Sequence, residues 1–374
     1  LKNLELETPA FIYDESVIEN NLSFLKTVKG LDGCEVLYSI KPLAESTVLK
    51  VINKHVNGLS TSSLFEARLA CEITGDRKRV HIVTPGLKAN EIVEISKYAK
   101  HIVFNSVNQA TELMKILDDA GADYSAGIRV NPQLSFVKDS RYDPCCHASK
   151  LGVPSITLPV HNLKGISGLH FHNNCDSDNP QQVLETTEKL IEELGDWIKT
   201  LEWVNMGGGY HFHEMKDHND YLIAIKKLRD LGIKVIIEPG STVVGGAGTL
   251  VSTVIDVFKT DGVNVAVLDT SVNHLPEALE FNIRQEVSES IEGGKYGYVL
   301  TGATCLAGDS FGGYEFNEEL KVGSRVTFQS VGAYSMSKAQ MFNGINLPNI
   351  YSKVDGELVF RRKFDYEHYK ERWM

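Results

Sequence analysis

The stretch "EVLYSIKPLAESTVLKVINKHVNGLSTSS" (residues 35–63) holds a complete strand–helix–strand unit. "EVLYSI" is apolar and β-prone, and Pro42 ends it by removing a ladder donor. "STVLKVINKH" repeats apolar residues at three- and four-residue spacing, which predicts a helix. "GLSTSS" reads as the next strand. Lys41 poses the chemical question, because the first strand carries an ammonium group to its own end and stops. Such a lysine is either a solvated terminus or a group at the rim of a barrel. At a rim, partial desolvation lowers its pKa and frees the amine to attack a carbonyl.

The same alternation extends outward from this unit. The predicted strands are "EVLYSI", "GLSTSS", "VHIVTPG", "HIVFNS", "AGIRVNP", "GLHFHNN", "VNMGGGY" and "VIIEPG", with amphipathic patterns between most of them. Alternation argues for a parallel sheet, and eight strands argue for a (β/α)8 barrel. A doubly wound sheet is the runner-up, but no G-x-G-x-x-G follows the first strand. Beyond residue 240 the runs "GTLVSTVIDVF", "VNVAVLDTS", "YGYVLTGATC" and "SRVTFQSVG" succeed one another without helices. They predict a β-rich domain, a small barrel or sandwich, which "LELETPAFIYD" could join. The expected division is a barrel over 10–243 and a β-rich domain from 1–9 and 244–374.

The 374 residues suffice for two cores, and 23% charged with 42% hydrophobic residues is ordinary for a soluble globular protein. No apolar run reaches about 18 residues, so no membrane helix is expected. The first residues lack the apolar core of a signal peptide. Six scattered cysteines without a C-x-x-C pair read as reduced thiols, so a cytoplasmic location is expected. A net charge of −11 argues against nucleic acid and is compatible with a small cationic substrate, as it is with solubility alone.

Active sites of (β/α)8 enzymes lie at the C-terminal strand ends. Lys41, Arg129, His172, Gly207, Gly208, Gly209 and Glu238 all fall there. Glycine amides can approach an anion closely, and a phosphate is the expected anion after the seventh strand. Glu238, in an apolar strand before Pro239 and Gly240, needs a positive partner such as a protonated ring nitrogen. His172 is either a plate against an aromatic ring or a hydrogen-bonded core histidine. His170 and His172 alternate on one face, and "HFH" stands at 211–213, but no carboxylate or thiolate completes a metal set, so no metal is expected. A lysine for an aldehyde, amides for a phosphate, a carboxylate for a ring nitrogen and a histidine for a ring face fit pyridoxal phosphate. A carboxylate keeps the ring nitrogen protonated and the ring a full electron sink, which suits decarboxylation. An arginine there would suit racemisation better.

With these residues the chain resembles, over nearly its whole length, the fold-type III pyridoxal phosphate decarboxylases, which include ornithine and diaminopimelate decarboxylases. The resemblance of "YSIKP" implies that Lys41 is the Schiff-base residue. "FHNN" implies that His172 covers the ring face. "MGGGY" and "IEPGS" imply cofactor contacts from Gly207–Gly209, Glu238, Gly240 and Ser241, with Arg129 beside them. "GATCLAGD" resembles a loop supplied by a second subunit, implying a homodimer, a proton-donating Cys305 and a site residue Asp309. "GAYSMSKAQMFNG" implies a phosphate contact from Tyr334. The chain departs from the family pattern at Ser241, where arginine is usual, at Leu306, at Asn173 and Asn174, and at Ser60, where an aspartate is usual. Ser241 and Leu306 together argue against diaminopimelate.

"CLAGDSFGGYEF" with "LDTSVNHLPEALEF" is most similar to the carboxynorspermidine and carboxyspermidine decarboxylases of polyamine synthesis. That resemblance implies a carboxylated triamine as substrate and norspermidine or spermidine as product. The substrate's cationic tail would need acceptors, for which Asp269, Asp309, His274 and Glu315 are the candidates, with Glu238 nearer the reacting end. Alternatives are the same reaction on diaminopimelate, ornithine or arginine, a non-catalytic pyridoxal phosphate carrier or regulator, and a barrel enzyme of unrelated chemistry.

Overall fold

Apolar residues change period from two to about 3.6 and back along the first two thirds of the chain, and the backbone follows. The computed structural model describes residues 6–27 and 33–374. After β1 (Ala10–Asp14) and α1 (Glu15–Thr27) come β2 (Cys34–Ser39), α2 (Ser46–Asn53), β3 (Gly58–Thr61), α3 (Leu64–Thr74), β4 (Val80–Val83), α4 (Ile92–Tyr98), β5 (His101–Phe104), α5 (Val107–Asp119) and β6 (Ser125–Asn131). There follow β7 (Val153–Pro154), β8 (Ile166–His170), α6 (Gln181–Leu194), β9 (Trp203–Asn205), α7 (Asn219–Asp230) and β10 (Lys234–Ile237).

β2, β3, β4, β5, β6, β8, β9 and β10 pair in parallel with their neighbours, and the pairings β5–β6 and β10–β2 close the ring. Parallel neighbours need long crossovers, and helices supply most of them. The crossover from β6 to β8 is the exception. It holds the two-residue β7 and short 3-10 turns but no α-helix. Local chemistry fixes the joints. Ser63 and Ser106 accept the Glu66 and Gln109 amides as N-caps, and Gly75 ends α3 in the left-handed region at φ 70°. α2 buries Val48, Leu49, Val51 and Ile52.

The barrel is a packed core, not a pore. Trp203 packs with Leu37, Val103 and Ile236. Gly127 and Gly168 leave room for its indole, since a Cβ on either would stand 2.4 or 2.0 Å from the ring. Its Nε1–H donates to Ser125 Oγ at 3.0 Å. The His81 and His101 rings stack at 3.9 Å, each edge-on to Trp203.

α8 (Ser241–Val244) is a single turn after β10. β11 (Gly248–Thr260), β12 (Val263–Leu268), α9 (Pro276–Phe281), β13 (Tyr296–Thr301), β14 (Ser310–Phe316), β15 (Arg325–Phe328), β16 (Asn349–Val354), β17 (Glu357–Arg362) and α10 (Tyr366–Lys370) complete the chain. With β1, these strands form one mixed eight-stranded sheet, ordered β14-β13-β12-β11-β1-β16-β17, with β15 against β11. The sequence left barrel or sandwich open, and it passed over β14, β16 and β17.

Among the described residues the compact units are 20–242 and 6–19 with 243–374. The expected division at residue 10 therefore shifts. β1 pairs antiparallel with β11 and parallel with β16, so residues 10–19 go with the β unit. No helix among the described residues is long and apolar enough to cross a membrane.

Candidate active site

Lys41 lies just past the end of β2. Ser39 N donates to Pro239 O and Ile40 N to Ser60 O, both at 3.0 Å, so the neighbouring strands hold the chain up to the lysine. Beyond Pro42, the buried Tyr38 hydroxyl donates to Leu43 O at 3.0 Å and fixes the bend. The Lys41 side chain is open to solvent yet embedded among protein atoms, as befits a group lining a recess. Burial lowers its pKa below the usual lysine value, Glu238 opposes this, and Arg129 reinforces it. The amine is therefore more easily freed of its proton than an ordinary lysine.

Glu238 follows β10 and its side chain is 9% exposed. Burial alone would push its pKa up. Donors outweigh burial and hold it well below the carboxylate range, through His170, Asn205 and the Ser60 hydroxyl. His170 Nε2 lies 3.3 Å from Oε2, and Asn205 Nδ2 donates to Oε1 at 2.7 Å. Ser60 thus contacts the same carboxylate. Burial lowers the pKa of His170, so its neutral imidazole donates from Nε2, and its buried Nδ1 has no hydrogen-bond partner among the described residues.

His172 lies beyond β8. Burial and the charges of Lys41 and Arg129 hold its imidazole well below the ordinary pKa, and its Nδ1 accepts the Gly208 amide at 3.1 Å. The proton is therefore on Nε2. Arg129, buried on β6, is pulled down to about 10 by burial, against the attraction of Glu238. At neutral pH it remains a cation. As a cation it can face an anionic ligand at this rim.

The glycine segment differs from the expected amide nest. Gly207 N donates to Asn205 Oδ1 at 2.9 Å and Gly208 N to His172 Nδ1, so two of the three amides orient side chains. The glycines are also needed for close approach. A Cβ on Gly208 would stand 2.2 Å from Glu238 O, and one on Gly209, whose φ is 91°, would stand 2.3 Å from Asn174 O. Gly240 packs on Pro42 with similar economy of space, and Ser241 hydrogen-bonds Asp176.

The barrel unit thus brings Lys41, Arg129, His172, Gly207–Gly209 and Glu238 to one rim. Sequence reasoning missed Asn205 and the role of His170. The alternation of "HFH" in "GLHFHNN" was the available signal for His170; a buried asparagine before glycines gave none. His211 pairs with Asp176 at 3.0 Å and His213 packs on Phe24. No group of three His, Cys, Asp or Glu among the described residues could hold a metal ion.

The remaining candidates belong to the β unit, where several require correction. Asp309 is 3% exposed, and its carboxylate accepts from Val272 N, Thr304 N and Thr304 Oγ1 at 2.8, 3.0 and 2.5 Å. It organises the Cys305 loop instead of offering a free acceptor. Asp269 likewise accepts from Thr8, Ser252 and Thr253 at 2.7, 2.6 and 2.8 Å. His274 is wholly buried against Thr270, and burial takes its pKa down to about 4, so it is a neutral core residue. Glu315 is exposed on β14 and accepts Gly293 N at 2.6 Å. Cys305 is exposed and reduced, on a loop whose backbone is tied at Cys305 N to Asn343 Oδ1 at 3.0 Å. Tyr334 has the left-handed φ of 58°, an unfavourable conformation for a tyrosine. None of the six cysteines is in a disulfide.

A parallel barrel with an amine of lowered pKa, an ionised buried carboxylate and a neutral imidazole at one rim has the donor set of a pyridoxal phosphate enzyme. Residues 16–245 match the family model described as "Pyridoxal-dependent decarboxylase, pyridoxal binding domain". The chain belongs to the pyridoxal-dependent decarboxylases. It is 33% identical to the carboxynorspermidine/carboxyspermidine decarboxylase of Campylobacter jejuni, over 98% of this chain and 99% of that one. It is 35% identical to the carboxyaminopropylagmatine decarboxylase of Synechocystis, covering 98% and 95%. A crystal structure of the Campylobacter jejuni carboxynorspermidine decarboxylase with norspermidine superposes with a TM-score of 0.88 at 32% identity, covering 98% of this chain and all of that one. Diaminopimelate decarboxylases are more distant, at 22–25% identity.

Proposed function

We propose that this chain binds pyridoxal 5'-phosphate at the barrel rim and decarboxylates carboxynorspermidine and carboxyspermidine, yielding norspermidine and spermidine. The observation that carries this reading is Glu238, buried yet held ionised by three donors. When bound, the cofactor supplies an electron sink whose protonated ring nitrogen accepts the electron pair left as carbon dioxide departs. Lys41 would hold the cofactor through its Nζ, and the pKa lowered by burial favours the free amine which that attachment needs. Glu238 keeps the proton on the ring nitrogen. His172 would present a neutral ring to the cofactor face, which sets no second positive charge beside the protonated ring nitrogen. Arg129, Gly209, Gly240, Ser241 and Tyr334 are the candidates for the phosphate end. Cys305, supplied by a second copy in a homodimer, delivers the proton to the α-carbon. Ser241, in place of the family's usual arginine, suits a cationic tail. Glu315 is the remaining exposed acceptor among the candidates named for that tail.

A second reading is carboxyaminopropylagmatine, whose tail ends in a guanidinium group. The 35% identity to the Synechocystis enzyme over nearly the whole chain favours it. Carbon dioxide release separates the two. The panel is carboxynorspermidine, carboxyspermidine, carboxyaminopropylagmatine, diaminopimelate, ornithine and arginine, with Lys41→Ala as control. The expected result is turnover of both carboxylated triamines, lost in Lys41→Ala. Preference for the guanidinium substrate establishes the second reading, and preference for diaminopimelate overturns both.

A further inference from the structure

Asn205 is the last residue of β9, and its side chain is completely buried. Both ends of its amide are engaged. Nδ2 donates to Glu238 Oε1 at 2.7 Å, and Oδ1 accepts the Gly207 amide at 2.9 Å. Glu238 N in turn donates to Gly207 O at 2.7 Å. The Gly207 residue is therefore gripped at both its N–H and its C=O, once through Asn205 and once by Glu238 itself. The result is a closed ring of hydrogen bonds joining the ends of β9 and β10. The amide has one workable orientation. Turning it over would set an oxygen against the carboxylate and an NH2 against an N–H.

This geometry asks for a side chain that donates and accepts without charge. Leucine would fill the space but leave a buried carboxylate short of a donor and a buried amide without an acceptor. An ionised aspartate would keep the acceptor and set a second negative charge against Glu238. A protonated aspartic acid would reproduce both bonds, its O–H serving for the asparagine N–H.

We propose that Asn205 is a positioning residue: it aims the Glu238 carboxylate, keeps it ionised and locks it to the glycine segment, so that both move as one body. The inference rests on the reading of Glu238 as the ring-nitrogen partner. Asn205 touches no reacting atom.

The test compares Asn205→Asp with Asn205→Ala in the full-length protein. Two readouts are followed across pH: the pyridoxal phosphate dissociation constant, from the visible absorbance of the bound cofactor, and kcat and KM separately. Asn205→Asp is expected to bind cofactor and turn over well at low pH. Both properties should fall roughly ten- to hundredfold as the aspartic acid loses its proton, the size expected for a lost hydrogen bond to a charged group. Asn205→Ala should show a similar loss at every pH, in kcat more than in KM. A purely structural asparagine would lower thermal stability without this pH-dependent rescue. Asn205→Asp tracking wild type at all pH values overturns the inference, as does Asn205→Ala with wild-type kcat and cofactor affinity. If Asn205→Ala fails to fold by circular dichroism, the Asn205→Asp profile decides alone. Failure of the wild type to bind the cofactor would sink the functional reading instead, so the two failures are distinguishable.

Discussion

Glu238 and His274 are both buried, and they resolve burial in opposite ways. Three donors converge on Glu238 and keep it charged. His274 has one hydroxyl neighbour, Thr270, at 2.9 Å, and stays neutral. Its behaviour has a measurable consequence. Its pKa is about 4 in the folded protein against 6.5 for an unburied imidazole, so between those values the unfolded chain binds a proton that the native chain does not. Stability from this group is full above the upper value and is lost as pH falls towards the lower one, at about 1.4 kcal/mol per pH unit. We predict that His274→Leu has a shallower fall of melting temperature over that acid range than wild type. An unchanged slope would show that His274 is not buried neutral. The residue scale is also where the sequence was least informative. Asp269 and Asp309 are acidic residues beside glycine or threonine in both readings. Only the folded chain shows that their carboxylates turn inward onto backbone amides and hydroxyls.

At the scale of elements, the glycine segment after β9 does two things. It lets the ends of β8, β9 and β10 close together, and it uses two amides to orient Asn205 and His172. Gly208→Ala would place a methyl group against the Glu238 carbonyl, which is backbone and cannot swing aside. The expected cost is about 1–3 kcal/mol in urea unfolding, with weaker cofactor binding because Glu238 is displaced. Gly245→Ala, where a Cβ meets nothing within 4 Å, is the control and should stay within about 0.5 kcal/mol. Wild-type stability in Gly208→Ala would refute the packing account. The eight barrel strands were legible because each is a short apolar run followed by a turn signal. The β16–β17 hairpin was legible too and was passed over: "VDGE" places Asp355 and Gly356 at φ 51° and 84°, a primed turn between alternating strands. β14 is harder to see, because Gly312 and Gly313 interrupt its alternation. Residues 132–165 carry no helical period, and the crossover there has no α-helix.

At the scale of the whole molecule, two textures of sequence give two compact units, and the misplaced boundary has a simple cause. β1 is separated from its partners β11 and β16 by more than two hundred residues of barrel, and a pairing that distant leaves no local trace. The family resemblance ran through both units, and the charged residues at the rim all came from the strand ends that the alternation had located. What the sequence could not supply was the connection among them: Asn205 between Glu238 and Gly207, and His170 on the far carboxylate oxygen.

The central claim is that β2 ends where it does to present Lys41 as the residue that carries the cofactor. Borohydride reduction of the cofactor-loaded protein, followed by proteolysis and peptide mass mapping, tests it most directly. The expected result is a pyridoxyl-phosphate mass on the peptide containing Lys41, absent from Lys41→Ala. A label on another lysine, or none on a protein saturated with cofactor, would contradict it.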